Sequence, residues 1–147
     1  MCPQGLIQPN NAILYNGDPL IHEYEVKTAT TMYPGRLVIH DTNEWDIKVA
    51  TSGSLVCLGV LDVEATELRT TLYGAADQAR VLNGDIVVLM TKDSGGAIEE
   101  GTRLAAGDSG MVQPAAFPGI SGGGIIGYSL QVVAAATKAR VLVKLLI

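Results

Sequence analysis

Glycine-centred turn signals recur so often in this sequence that long helices have little room to form. They fall as Asn-Gly-Asp at 16–18 and 83–85, Ser-Gly-Gly at 94–96, Gly-Asp-Ser-Gly at 107–110 and Ser-Gly-Gly-Gly at 121–124. Glycine supplies positive φ, and Asn, Asp and Ser bond back to nearby backbone, so these strings reverse a chain. Between them lie short runs with strand patterning. In WDIKV, 45–49, Trp45, Ile47 and Val49 share one face against Asp46 and Lys48, which predicts a place for Trp45 in the core or at an interface. ARVLVKLLI, 139–147, alternates in the same way. SLVCLGVL, 54–61, and DIVVLM, 85–90, are continuous apolar runs of strand length, the pattern of strands covered on both faces. The expected class is all-β, a small barrel or sandwich, with core strands at 54–61, 85–90, 125–133 and 139–147. EATELRTTLY, 64–73, leaves helix and strand both open: Leu68 and Leu72 stand four apart, while its threonines suit a strand.

The chain also resembles itself, over roughly 24–90 and 86–147. Each half begins with a strand ending in threonine and reaches a glycine, Gly35 or Gly101. A hairpin with an acidic tip follows, around Asp41 or Asp108. Each half then passes a Ser-Gly pair, enters a strand holding Gly59 or Gly127, and returns through Ala-Arg-Val-Leu at 79–82 or 139–142. Two origins stay open, a duplication or the common grammar of β-hairpins. Two like half-sheets packed face to face would bury the alternating residues of both.

Residues 1–22 differ from the rest. MCPQGLIQPNNAILYNGDPLIH holds three prolines among its aliphatic residues. Proline fixes φ and lacks an N–H, which argues against a long helix or a central strand. The aliphatic content argues against a purely disordered tail. The stretch reads as an extended arm, ahead of a β domain at 23–147, that lies on its own body or on a neighbour. Its candidate contact residues are Pro3, Leu6, Ile7, Pro9, Ile13, Leu14 and Tyr15.

Composition narrows the function. Charged residues are only 17% of the chain, below the quarter or so common in soluble domains, and this favours surface hidden against partners. The net charge is −5, with ten scattered Lys and Arg, so no basic stripe exists for nucleic acid. No run approaches the roughly 20 apolar residues of a membrane-spanning helix. The N-terminus lacks the basic and apolar regions of a signal peptide.

Catalytic patterns fare poorly. Gly107-Asp108-Ser109-Gly110 matches the nucleophile string of trypsin-like proteases, but Met111 stands where a second glycine belongs. The only histidines, His22 and His40, would have to supply its base. The string suits a hairpin turn better. The two cysteines, Cys2 and Cys57, are isolated, and Cys57 reads as a small buried hydrophobe. Asp93, Glu99 and Glu100 lack calcium-loop spacing, and 121–124 lacks the Lys-Ser/Thr of a phosphate loop. No catalytic residue, metal or cofactor is expected.

GTRLAAGDSGMVQPAA, GGIIGYSLQ and the terminal ARVLVKLL together resemble the capsid decoration, or cement, proteins of tailed bacterial viruses and their relatives. Gly101, Leu104, Asp108, Gly110 and Val112 fall on that family's turn pattern, with Ser109 inserted. Ile126, Gly127, Ser129 and Leu130 fall on its following strand, and 73–89 is similar to its middle region. The resemblance covers about 24–147, while the long N-terminal stretch departs from the shortest members. It implies a β-barrel or β-tulip body and a homotrimer seated on the outer surface of an icosahedral virion. There the subunit would bridge major capsid proteins, without enzymatic activity. Two rival expectations remain. One is a virion surface binding or adhesion module, such as a head fibre base, using loops 41–46 and 92–100. The other is a small serine hydrolase built on Ser109 with His22 or His40.

Overall fold

The computed structural model describes residues 13–54, 56–62, 72–93, 97–115, 124–134 and 139–147. The ambiguous segment at 64–73 lies almost entirely outside them. In chain order the strands are β1 (Leu14–Asn16), β2 (Leu20–Val26), β3 (Leu37–His40), β4 (Asp46–Val49), β5 (Gly59–Leu61), β6 (Gln78–Asn83), β7 (Val87–Thr91), β8 (Arg103–Ala106), β9 (Val112–Pro114), β10 (Ile125–Ser129) and β11 (Arg140–Leu145). A single 3₁₀ turn, Asp108–Gly110, joins β8 to β9. The class is all-β, as the turn density and alternation require.

Five strands close a barrel in the order β2-β4-β3-β5-β6, and six form a second sheet in the order β1-β7-β11-β10-β8-β9. Most pairings are antiparallel. The barrel is closed by a short parallel contact, Glu25 beside Asp46 and Val26 beside Ile47.

Two apolar clusters hold these sheets. One fills the barrel with Val26, Met32, Val38, Ile47, Leu61, Tyr73, Ala79 and Val81. The other joins barrel residues Leu37, Ala50, Val60 and Leu82 to Ile13, Ile86, Val88, Met90, Leu104, Ile126, Val141, Val143 and Leu145. Adjacent residues in β3, β5 and β6 therefore serve different clusters: Leu37 and Val38, Val60 and Leu61, Val81 and Leu82. A strand covered on both faces has no solvent side to fill with polar residues. That is why the sequence there is continuously apolar.

The two sheets share a strand order. β4-β3-β5-β6-β2 in the barrel corresponds to β9-β8-β10-β11-β7 in the second sheet. Backbone bonds correspond as well. Gly35 N–H donates to Leu61 C=O, and Gly101 N–H to Ser129 C=O. Lys27 N–H donates to Ile47 C=O, and Asp93 N–H to Val112 C=O. An isolated parallel bridge, Lys92 with Val112, stands where β2 meets β4 in the barrel. Gly59 and Gly127 occupy matching places in β5 and β10. A Cβ on either would overlap the carbonyl oxygen of the adjoining strand, Leu82 in one case and Lys144 in the other. Only glycine allows so close a backbone approach.

Several boundaries differ from the sequence expectation. Of the described residues in 54–61, only 59–61 are strand, and Val56 is exposed. The expected strand at 125–133 ends at Ser129, whose hydroxyl bonds Gln131 C=O and turns the chain. Trp45 is 66% exposed and lies outside the chain's own core. It precedes β4, in a turn where Asn43 Oδ1 accepts its N–H and Asn43 Nδ2 bonds Asp46. Two-residue alternation does not extend into such a turn.

Candidate interaction surface

Gly107–Gly110 is a clamp between the two sheets. Ser109 sits in the left-handed region at φ 55°, which aims its carbonyl at Arg36 Nη1, 2.8 Å away. Gly110 N–H reaches Ala50 C=O at 2.7 Å. A Cβ on Gly110 would stand 2.6 Å from Leu37 O, so a side chain there would force the sheets apart. Asp108 N–H bonds Asp93 Oδ2 at 2.8 Å and fixes the other side of the turn. Arg36 is buried, with its guanidinium 5.3 Å from the Tyr33 ring centre. Burial pulls its pKa below the ordinary value, and Tyr33 and Asp93 partly oppose that. Among the described residues, Ser109 makes no hydrogen bond to either imidazole. His22 and His40 instead flank Tyr24 on the barrel, with ring centres 6.4 and 5.9 Å from it.

The other candidate chemistry is dispersed. Among the described residues, no group of three His, Cys, Asp or Glu is placed to hold a metal ion. Asp41 accepts from Thr28 Oγ1 and pairs with Lys48 at 3.7 Å, so the acidic tip is tied to the segment after β2 and to β4. Glu99 and Glu100 are exposed. Cys57 is half-buried, and loss of solvation pushes its thiol up to about 11. Residues 94–96, 121–123 and Cys2 lie outside the described residues.

The expected arm divides. Pro3, Leu6, Ile7 and Pro9 lie outside the described residues. Ile13 is fully buried in the chain's own core, and Leu14 packs against the same cluster. Tyr15 is exposed. Residues 14–16 form β1 along β7, and β2 begins at Leu20. The described part of the stretch thus lies on its own body.

The surface features that remain are apolar. Leu20 is 62% exposed, Ile21 47% and Leu146 59%. Leu20 and the chain end meet around Gly84. Its N–H bonds Ile147 C=O at 2.7 Å, and a Cβ there would touch Leu20 Cγ at 3.8 Å. A hollow beside them is lined by Gly84, Asp85, Leu145, Leu146 and Ile147, with the Lys144–Asp85 ion pair nearby. The arm signal in the sequence pointed only to 1–22. It missed Leu146, whose place in an alternating strand hid the fact that β11 ends one residue earlier.

This arrangement has a counterpart among solved structures. The fold resembles that of a phage head-fibre base. The crystal structure of the head fiber gp8.5 N base in bacteriophage phi29 superposes with a TM-score of 0.58. It is 14% identical, and the match covers 88% of this chain and 95% of that one. No protein-family model matches the sequence, and no curated protein matches it. At that identity the likeness establishes fold.

Proposed function

We propose that this chain is a structural protein of a phage virion, carried on the outer surface of the capsid. The observation that carries the reading is the near-complete superposition on a head-fibre base, 88% of one chain on 95% of the other. Low charge and exposed aliphatics support it, because a subunit that docks covers such surface on its partners. The partners would be the major capsid protein and copies of the chain itself, as a homotrimer. Seated over adjacent capsid subunits, such a trimer would bridge them, and many modest contacts would hold by multivalency. Co-sedimentation with bare capsids tests this. The full chain should pellet with shells and saturate at a fixed stoichiometry, and failure to pellet would refute it.

A second reading is favoured by Trp45. A tryptophan 66% exposed at a loop tip supplies contact area that the chain's own fold does not use. In that reading the chain is the base of a head fibre or a surface binding module. Glycan binding lost on Trp45→Ala, with shell binding kept, would support it.

A further inference from the structure

The correspondence between the two sheets exposes a position that no described residue fills. In the second sheet β1 runs antiparallel along the outer edge of β7, Leu14 beside Val88 and Asn16 beside Val87. Leu89 N–H donates to Ile13 C=O there at 2.8 Å. In the barrel the corresponding strand is β2. One edge of β2 is fully paired with β6 from Leu20 to Glu25. Along the other edge, described residues pair with it only from Glu25 onward, through β4. Glu25 N–H reaches out to Trp45 C=O and Lys27 N–H to Ile47 C=O. Backbone groups alternate along a strand, so Ile21 and Glu23 point their N–H and C=O groups to that same side. Matching Lys27 to Asp93 puts Ile21 and Glu23 opposite Val87 and Leu89, the pair that β1 covers.

We propose that this edge of β2 is a slot for an added strand, filled by the N-terminal segment of a second copy of the chain. The slot is unguarded. From Leu20 to Tyr24 it carries one charge, Glu23, and neither lysine nor proline. Exposed edges are normally blunted by such residues, and Leu20 and Ile21 are instead exposed aliphatics. The segment is of the right kind. Residues 1–12 precede the strand that fills the equivalent slot, and they contain Leu6-Ile7, consecutive aliphatics like Ile13-Leu14. In a strand such a pair faces opposite ways. Twelve extended residues reach about 40 Å.

Chain direction favours a second copy over the segment's own barrel. From Ile13 to Asn16 the chain runs towards Leu20, so a segment continuing β1 backwards in a straight line would point away from its own β2. Donation from each copy to the next is a heterologous contact, which closes into a ring when the rotation permits. Strand addition also supplies main-chain bonds without needing charge, in keeping with this composition.

The test is self-association in the absence of shells, so its outcome is separate from that of shell binding, on which the virion reading turns. Sedimentation would compare the full chain with a deletion of residues 2–11 and with Glu23→Pro. The deletion leaves β1 whole. Glu23→Pro removes an N–H that the β6 ladder does not use and blocks an incoming strand. The full chain should sediment at a multiple of 15.4 kDa, and both variants as single chains with native circular dichroism. A single-chain mass for the full protein would overturn the proposal, as would either variant remaining assembled. In a separate co-sedimentation with shells, a Glu23→Pro chain that still self-associates but no longer pellets would also overturn it, because the slot would then belong to a strand of another protein.

Discussion

At the residue scale, the protein depends on places where a side chain cannot be tolerated or cannot be charged. Gly59 and Gly127 lie against carbonyls of neighbouring strands. Gly127→Ala should cost at least about 2 kcal/mol by overpacking, read as a lowered chemical-denaturation midpoint. Ser109→Ala should change stability by less than about 0.5 kcal/mol, because Arg36 bonds the backbone carbonyl and not the hydroxyl. Gly110→Ala, one position on, should be far more damaging. Cys57 gives a pH signature. Its thiol is raised from 9.0 to about 11 by burial, so the folded state retains a proton that the unfolded chain releases first. The unfolded form therefore gains as pH climbs. Burial of the neutral thiol favours the fold below pH 9, and that contribution is lost between 9 and 11. In a Cys2→Ser background, alkylation of the native protein should stay slow at pH 8 and accelerate towards pH 11. Fast labelling at pH 8 would contradict the buried environment.

At the element scale, β3, β5 and β6 are covered on both faces, so their substitutions reach two clusters. Leu82→Ala should cost roughly 2–5 kcal/mol, measured by denaturant unfolding. Glu23→Lys on the solvent-facing stretch of β2 should cost little by the same measurement. The strands most legible from sequence were β7 and β11. The apolar run at 85–90, the alternation at 139–147 and the dense glycine turns announced an all-β body, because a buried strand face leaves a direct mark on composition. What stayed hidden was how far each strand runs. Val56 and Trp45 are large and apolar, yet each lies in an irregular segment beside a strand, where no periodicity governs which way a side chain points. The candidate surface was less legible still. Leu20 and Ile21 read as part of a proline-studded arm, and only the pairing of β2 with β6 shows them to lie on a sheet edge that no described residue covers. Such an edge depends on which strand fails to arrive, and no single segment records that.

At the scale of the whole molecule, two sheets of one strand order share a core that the Arg36–Ser109 clamp draws together. The body that results exposes apolar residues on β2, at loop tips and near the chain end. Everything functional follows from the claim that this body docks on a capsid. For the proposed virion role, the most direct measurement is quantitative co-sedimentation of the full chain with bare shells assembled from major capsid protein. The account predicts saturable pelleting at a fixed ratio of chain to capsid subunit. A chain left wholly in the supernatant, at concentrations well above micromolar and with shells intact, would contradict it.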